Sequence, residues 1–164
     1  MSTARTWPEP VERVVRYLRE AHVEARVEEF PIGTPTAADA ARATGARLEE
    51  IVKSLVFLCD GRSVLVMVPG DQRADAEKIA KAVGCERVKV AGAEDVARAT
   101  GFSAGGVAPF PLPHIDLVLM ERKLLTHEVV WIGAGTSRHM AALAPADLVR
   151  LARARPVDAV AENA

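Results

Sequence analysis

Ile51-Val52-Lys53-Ser54-Leu55-Val56-Phe57-Leu58-Cys59, then Asp60-Gly61-Arg62, then Ser63-Val64-Leu65-Val66-Met67-Val68: this stretch decides the fold. Two nearly continuous apolar runs flank an Asp-Gly turn signal, so Lys53 to Cys59 and Ser63 to Val68 are expected to pair as a hairpin. Neither run alternates apolar with polar, so both faces of their sheet are expected to be covered. One residue breaks the pattern. Lys53 places an ammonium in an apolar run, which is costly unless the charge is paired. Its stem could lie on apolar surface with the amine in water, as lysines at strand ends often do. Alternatively, the amine sits at the floor of a cleft, facing a phosphate or a developing negative charge. A nucleophilic lysine is a third reading, although nothing in the sequence demands an imine.

On the N-terminal side, Glu9 to Glu24 carries Val11, Val14, Val15, Leu18, Ala21 and His22 at helical spacing. Arg26 to Phe30 alternates like a short strand, and Pro31-Ile32-Gly33-Thr34-Pro35 is a connector. Thr36 reads as the N-cap of a helix through Thr44, with Asp39 three residues on and Gly45 as the stop. On the C-terminal side, helices are expected over Ala74 to Val83, closed by Gly84, and over Ala93 to Thr100. Arg87 to Val90, Ile115 to Met120, Glu128 to Ile132 and Met140 to Leu143 are expected as strands. Pro145 suits the first turn of a last helix running to about Arg153, and residues 156–164 are expected to fray. The irregular alternation of strands and helices predicts an α+β fold, with a mixed, partly barrel-like β-sheet flanked by helices.

The length of 164 residues suits one compact domain spanning residues 1–164. Apolar residues make up 49% and charged residues 26%, and no apolar run approaches the roughly 18 residues of a membrane span. Met1 to Pro10 is polar and contains Pro8 and Pro10, unlike a signal peptide or presequence. The two cysteines, Cys59 and Cys85, lack metal-type spacing, so free thiols and a cytoplasmic location are expected. A net charge of -1 argues against a general nucleic-acid coat, though not against a protein that touches only the end of an RNA.

The second informative segment is Thr100-Gly101-Phe102-Ser103-Ala104-Gly105-Gly106-Val107-Ala108-Pro109-Phe110. Gly105-x-x-x-Pro109 alone marks an ordinary turn or crossover. With Gly101, Gly106, Pro111 and Pro113 it describes a long loop of fixed shape, whose backbone N–H groups could bind an ester carbonyl or an oxyanion. Gly133-Ala134-Gly135 follows a strand but lacks the dinucleotide fingerprint. His139 lies just after it, where it could reach a cleft, although such a histidine is more often an ordinary polar residue. No histidines are spaced as metal ligands and no nucleophile elbow is present, so neither metal nor cofactor is expected.

The run Glu50 to Phe57, the helix end Val83-Gly84 and Thr100-Gly101-x-x-x-Gly105-Gly106-Val107-x-Pro109 occur in an order that resembles the YbaK/aminoacyl-tRNA deacylase family. Its members are free-standing relatives of the editing domain inserted in bacterial prolyl-tRNA synthetases. The resemblance runs from about Thr36 to Leu151, with residues 1–35 matching more loosely. It implies a YbaK-like fold and hydrolysis of the ester of mischarged tRNA, most typically tRNA(Pro) carrying a wrong amino acid. By resemblance, Lys53 is the family's essential lysine, holding the terminal adenosine and its phosphate. Gly105, Gly106, Val107, Ala108 and Pro109 form the loop that positions the ester, with Ser54 and Gly133 beside the substrate. The substrate's own 2′-hydroxyl assists attack in this family, so no protein nucleophile is required. His139 falls where alanine-editing members have histidine and cysteine-editing members have aspartate, which favours Ala, Ser or Thr over Cys. Ser54 replaces an asparagine of some alanine-specific members, so the amino acid stays open. The implied partner is the acceptor end of an aminoacylated tRNA, with a synthetase as a further candidate and neither membrane nor DNA. Lys78, Lys81, Arg122, Lys123 and Arg138 are candidate cations for the RNA. The alternative is a non-catalytic module of the same fold that binds tRNA ends, nucleotides or a protein.

Overall fold

The central hairpin forms where the sequence places it. β2 (Val52–Cys59) and β3 (Arg62–Pro69) pair antiparallel with Cys59 opposite Arg62. The two residues between them, Asp60 and Gly61, have φ of 50° and 85°, the left-handed pair that a two-residue hairpin turn needs. A computed structural model describes residues 6–162. In chain order it adds α1 (Glu9–Glu20), β1 (Arg26–Glu29), α2 (Ala37–Thr44), α3 (Ala76–Val83), β4 (Val88–Val90) and α4 (Ala93–Thr100). β5 (Leu117–Glu121), β6 (Val130–Gly133), β7 (His139–Leu143), α5 (Pro145–Ala152) and β8 (Ala154–Val157) complete it.

The strands form a mixed five-stranded sheet ordered β4-β2-β3-β5-β8 and a three-stranded antiparallel sheet ordered β1-β7-β6. In the larger sheet β5 and β8 run parallel to their neighbours, while β4 is antiparallel to β2. Leu65 and Met67 belong to one apolar cluster with α1, α4 and α5, whereas Val64, Val66 and Val68 belong to another with Ile79 of α3. Successive residues of β3 therefore serve opposite faces, and both are covered, as the unbroken apolar run requires. β4 pairs only with Phe57 to Cys59, which leaves the start of β2 open on that side. The smaller sheet approaches there, through a parallel bridge between Ile51 and Trp131. The partly barrel-like sheet is thus two sheets bridged at the start of β2.

Local signals set the helix ends. The Thr36 side chain accepts from the Asp39 N–H, and Gly45, Gly84 and Gly101 close α2, α3 and α4 in the left-handed conformation. Two expectations are corrected. α1 stops at Glu20, and His22 lies beyond it with φ 56° instead of on an apolar helix face. Residues 156–164 do not fray as a whole: Pro156 and Val157 belong to β8, and Ala159 and Val160 are buried. The buried Glu121 carboxylate accepts from the Ala159 N–H at 2.9 Å, which holds that segment down. Residues 163 and 164 lie outside the described residues, as do residues 1–5 of the polar N-terminal segment. Among the described residues no helix is long and apolar enough to cross a membrane.

Candidate active site

A cleft of ≈ 380 Å³ opens where the two sheets meet, lined by Lys53 and Ser54 at the start of β2. Gly105 and Val107 of the loop after α4 face it, as do Gly133, Thr136 and His139 from β6, β7 and their turn. Adjacent residues of a strand point to opposite faces, so a cleft that both Lys53 and Ser54 line must wrap around the starting end of β2.

Lys53 is half-buried, and its Nζ donates to the Gln72 carbonyl at 2.6 Å. Burial pulls its pKa down, Asp71 opposes that, and Arg73 adds to it. An ammonium has three donors, so the hydrogens not given to Gln72 can serve an anion in the cleft. Beside it, Ser54 Oγ is buried without a hydrogen-bond partner among the described residues. An unsatisfied buried hydroxyl costs about 1–3 kcal/mol, which a ligand's polar atom would recover.

The loop after α4 is fixed by Thr100, whose Oγ1 donates to the Val96 carbonyl at 2.7 Å and accepts from the Phe102 N–H at 3.0 Å. It then packs on the β6–β7 turn at backbone distance. A Cβ on Gly106 would lie 2.5 Å from Thr136 Cα, and one on Gly133 would lie 2.5 Å from the Val107 carbonyl oxygen. These glycines let two main chains touch. Gly105 differs: a Cβ there would meet only Ser137 Cβ at 3.7 Å, so this residue faces room.

His139 is 3% exposed and stands opposite Glu29 in the β1–β7 register. Its Nε2 lies 3.3 Å from Glu29 Oε2, its Nδ1 lies 2.6 Å from Thr136 Oγ1, and Trp7 meets the ring edge-on at 5.6 Å. The turn is pinned from outside, with the Phe30 and Thr34 N–H groups donating to the Arg138 and Ser137 carbonyls at 2.7 Å each.

Of the residues singled out from sequence, Lys53, Ser54, Gly105, Val107, Gly133 and His139 line one cleft. Gly106 and Ala108 are buried behind it. Pro109 lines a separate groove of ≈ 420 Å³ with Tyr17 and Arg153. Two of the candidate cations have partners in the C-terminal segment: Lys78 Nζ donates to the Val160 carbonyl, and Arg122 pairs with Asp158. Thr136 and Glu29 were missed. A hydroxyl three residues before His139 was visible, whereas Glu29 depends on strand pairing. Among the described residues no group of three or more His, Cys, Asp or Glu is placed to hold a metal.

A lysine at an open strand end, facing a wall of glycine backbone, defines a small α+β protein with a cleft suited to an anionic ligand. Residues 33–151 match the aminoacyl-tRNA editing domain, and the chain belongs to that family. A crystal structure of a candidate trans-editing enzyme for prolyl tRNA synthetase superposes with a TM-score of 0.87 at 32% identity, covering 96% of this chain and 100% of that one. The uncharacterized protein YwhH of Bacillus subtilis (strain 168) is 31% identical over 126 residues, 76% of this chain and 80% of its own length. The proline--tRNA ligase of Lactobacillus acidophilus is 29% identical over 85 residues, 52% of this chain but only 15% of the ligase.

Proposed function

We propose that this protein is a trans-acting aminoacyl-tRNA deacylase, which hydrolyses the ester of mischarged tRNA. The favoured substrate is tRNA(Pro) carrying Ala, Ser or Thr, with Cys less favoured. The observation that carries this reading is the meeting of Lys53 with the Gly105–Val107 backbone in one cleft. Lys53 anchors the terminal adenosine and its phosphate, while the loop orients the ester and its attacking water. The substrate's 2′-hydroxyl supplies the assistance that a protein nucleophile supplies elsewhere. Membership of the editing family and the likeness to a candidate trans-editing enzyme support the same reading.

The test is hydrolysis of tRNA(Pro) charged with Ala, Cys, Ser, Thr or Pro, by wild type and Lys53→Ala. The expected result is lysine-dependent cleavage of a mischarged species with Pro-tRNA(Pro) spared. Survival of every ester, here and on other tRNAs charged with small amino acids, would overturn the enzyme and leave a binding module.

A further inference from the structure

The hydrogen-bond capacity of Thr136 can be assigned from its neighbours. A hydroxyl has one donor and two acceptor positions. The Arg138 N–H donates to Thr136 Oγ1 at 3.1 Å, which occupies one acceptor position. His139 Nδ1, at 2.6 Å, takes either the hydroxyl proton or the other lone pair. The Glu29 carboxylate, 3.3 Å from Nε2 though outside hydrogen-bond geometry, favours by its charge an imidazole proton on that side. Nδ1 then carries the lone pair and accepts the Thr136 proton. What Thr136 has left to offer is an acceptor lone pair, on a residue that lines the cleft.

The charges point the same way. Lys53 brings positive charge from β2, while Glu29 brings negative charge to the turn that holds Thr136 and His139. An aminoacylated RNA end carries a phosphate and, across the ester, an α-amino group that is largely protonated at neutral pH. A cation with several donors suits an acceptor backed by a carboxylate, as the phosphate suits Lys53.

We propose that Thr136, held by His139 and Glu29, receives the α-ammonium of the aminoacyl group. The chain therefore requires esters of amino acids with a free amino group. This assignment rests on the deacylase reading for its substrate, and it adds a specificity determinant distinct from the amino-acid side chain.

The experiment compares Ala-tRNA(Pro) with its N-acetylated form, using wild type, Thr136→Ser and Thr136→Val. In parallel, calorimetry measures binding of the non-hydrolysable 3′-alanylamino-3′-deoxyadenosine 5′-phosphate, which carries the phosphate that Lys53 would hold, and of its N-acetyl derivative. Wild type is expected to favour the free amine by at least about tenfold, in kcat/KM and in Kd. Thr136→Val is expected to lose most of that preference through KM with kcat little changed, and Thr136→Ser to keep it. Equal handling of both forms by wild type, or a preference for the acetylated form, overturns the proposal. Should Thr136→Val fail to fold, the wild-type ratios and Thr136→Ser decide it. If no ester is cleaved but the free-amine analogue is preferred, the deacylase reading fails and the amine site stands. If neither analogue binds, both fail.

Discussion

At Lys53 the cost of burial falls on the same amine that the proposed function sets against the substrate's phosphate. Its folded pKa is lowered, so between that value and the ordinary 10.5 the unfolded chain binds more protons. Stability therefore rises with pH across that window, and the charged amine is a burden to the fold below it. Lys53→Met is accordingly expected to match or exceed wild type in urea-unfolding stability at pH 7 while losing deacylation. Wild-type activity, corrected for spontaneous ester hydrolysis, is expected to decline with rising pH before 10.5 is reached, as the lysine loses its proton. Cys59 gives a second check. Burial first, and Cys85 next, push its thiol up to about 12, so iodoacetamide at pH 8 is expected to spare it in the folded protein. Mass spectrometry of native and unfolded samples would show it, and alkylation of native Cys59 would count against the packing described. Lys53 was legible in the sequence because a charge inside an apolar run is an anomaly in itself. Glu29 was not, because it is an ordinary strand residue until the β1–β7 register sets it against His139.

Among the elements, the loop after α4 and the β6–β7 turn act as one unit. Gly106→Ala and Gly133→Ala would each drive a methyl against backbone that cannot swing away, and each is expected to cost about 1–3 kcal/mol in denaturant unfolding. Gly105→Ala is expected to leave stability within about 0.5 kcal/mol of wild type while slowing ester hydrolysis, because its methyl enters the cleft. Equal destabilisation by all three would refute that division. Deletion from Pro156 onward would uncover β5 and strip a partner from the buried Glu121 carboxylate. That variant is expected to melt well below wild type. The β2–β3 hairpin and the helix caps were legible because a few neighbouring residues dictate them. β8 escaped because Ala154-Arg155-Pro156-Val157 has no strand pattern of its own. It takes its form from β5, as an edge strand that can hold a proline.

Across the whole molecule, net charge is -1, and Lys78 and Arg122 are engaged with Val160 and Asp158 and do not line the cleft. Grip on an RNA is therefore expected to rest on few phosphates. The slope of log Kobs against log[salt] for tRNA binding should be no steeper than about -3. A much steeper slope would mean that a broad basic surface takes part. One further consequence follows from the contact of main chains at Gly106 and Gly133. Peptide backbone is chemically the same whichever residue it belongs to, so a point mutation at Gly106 or Gly133 can neither carve that contact back nor build it out without displacing the backbone it meets. On the deacylase reading, a descendant of this chain that came to accept a different amino acid would do so by exchange at the cleft-lining positions free of that contact, Ser54, Gly105, Thr136, His139 and Met140 among them. Substrate preference can drift there while the enclosure itself is inherited intact.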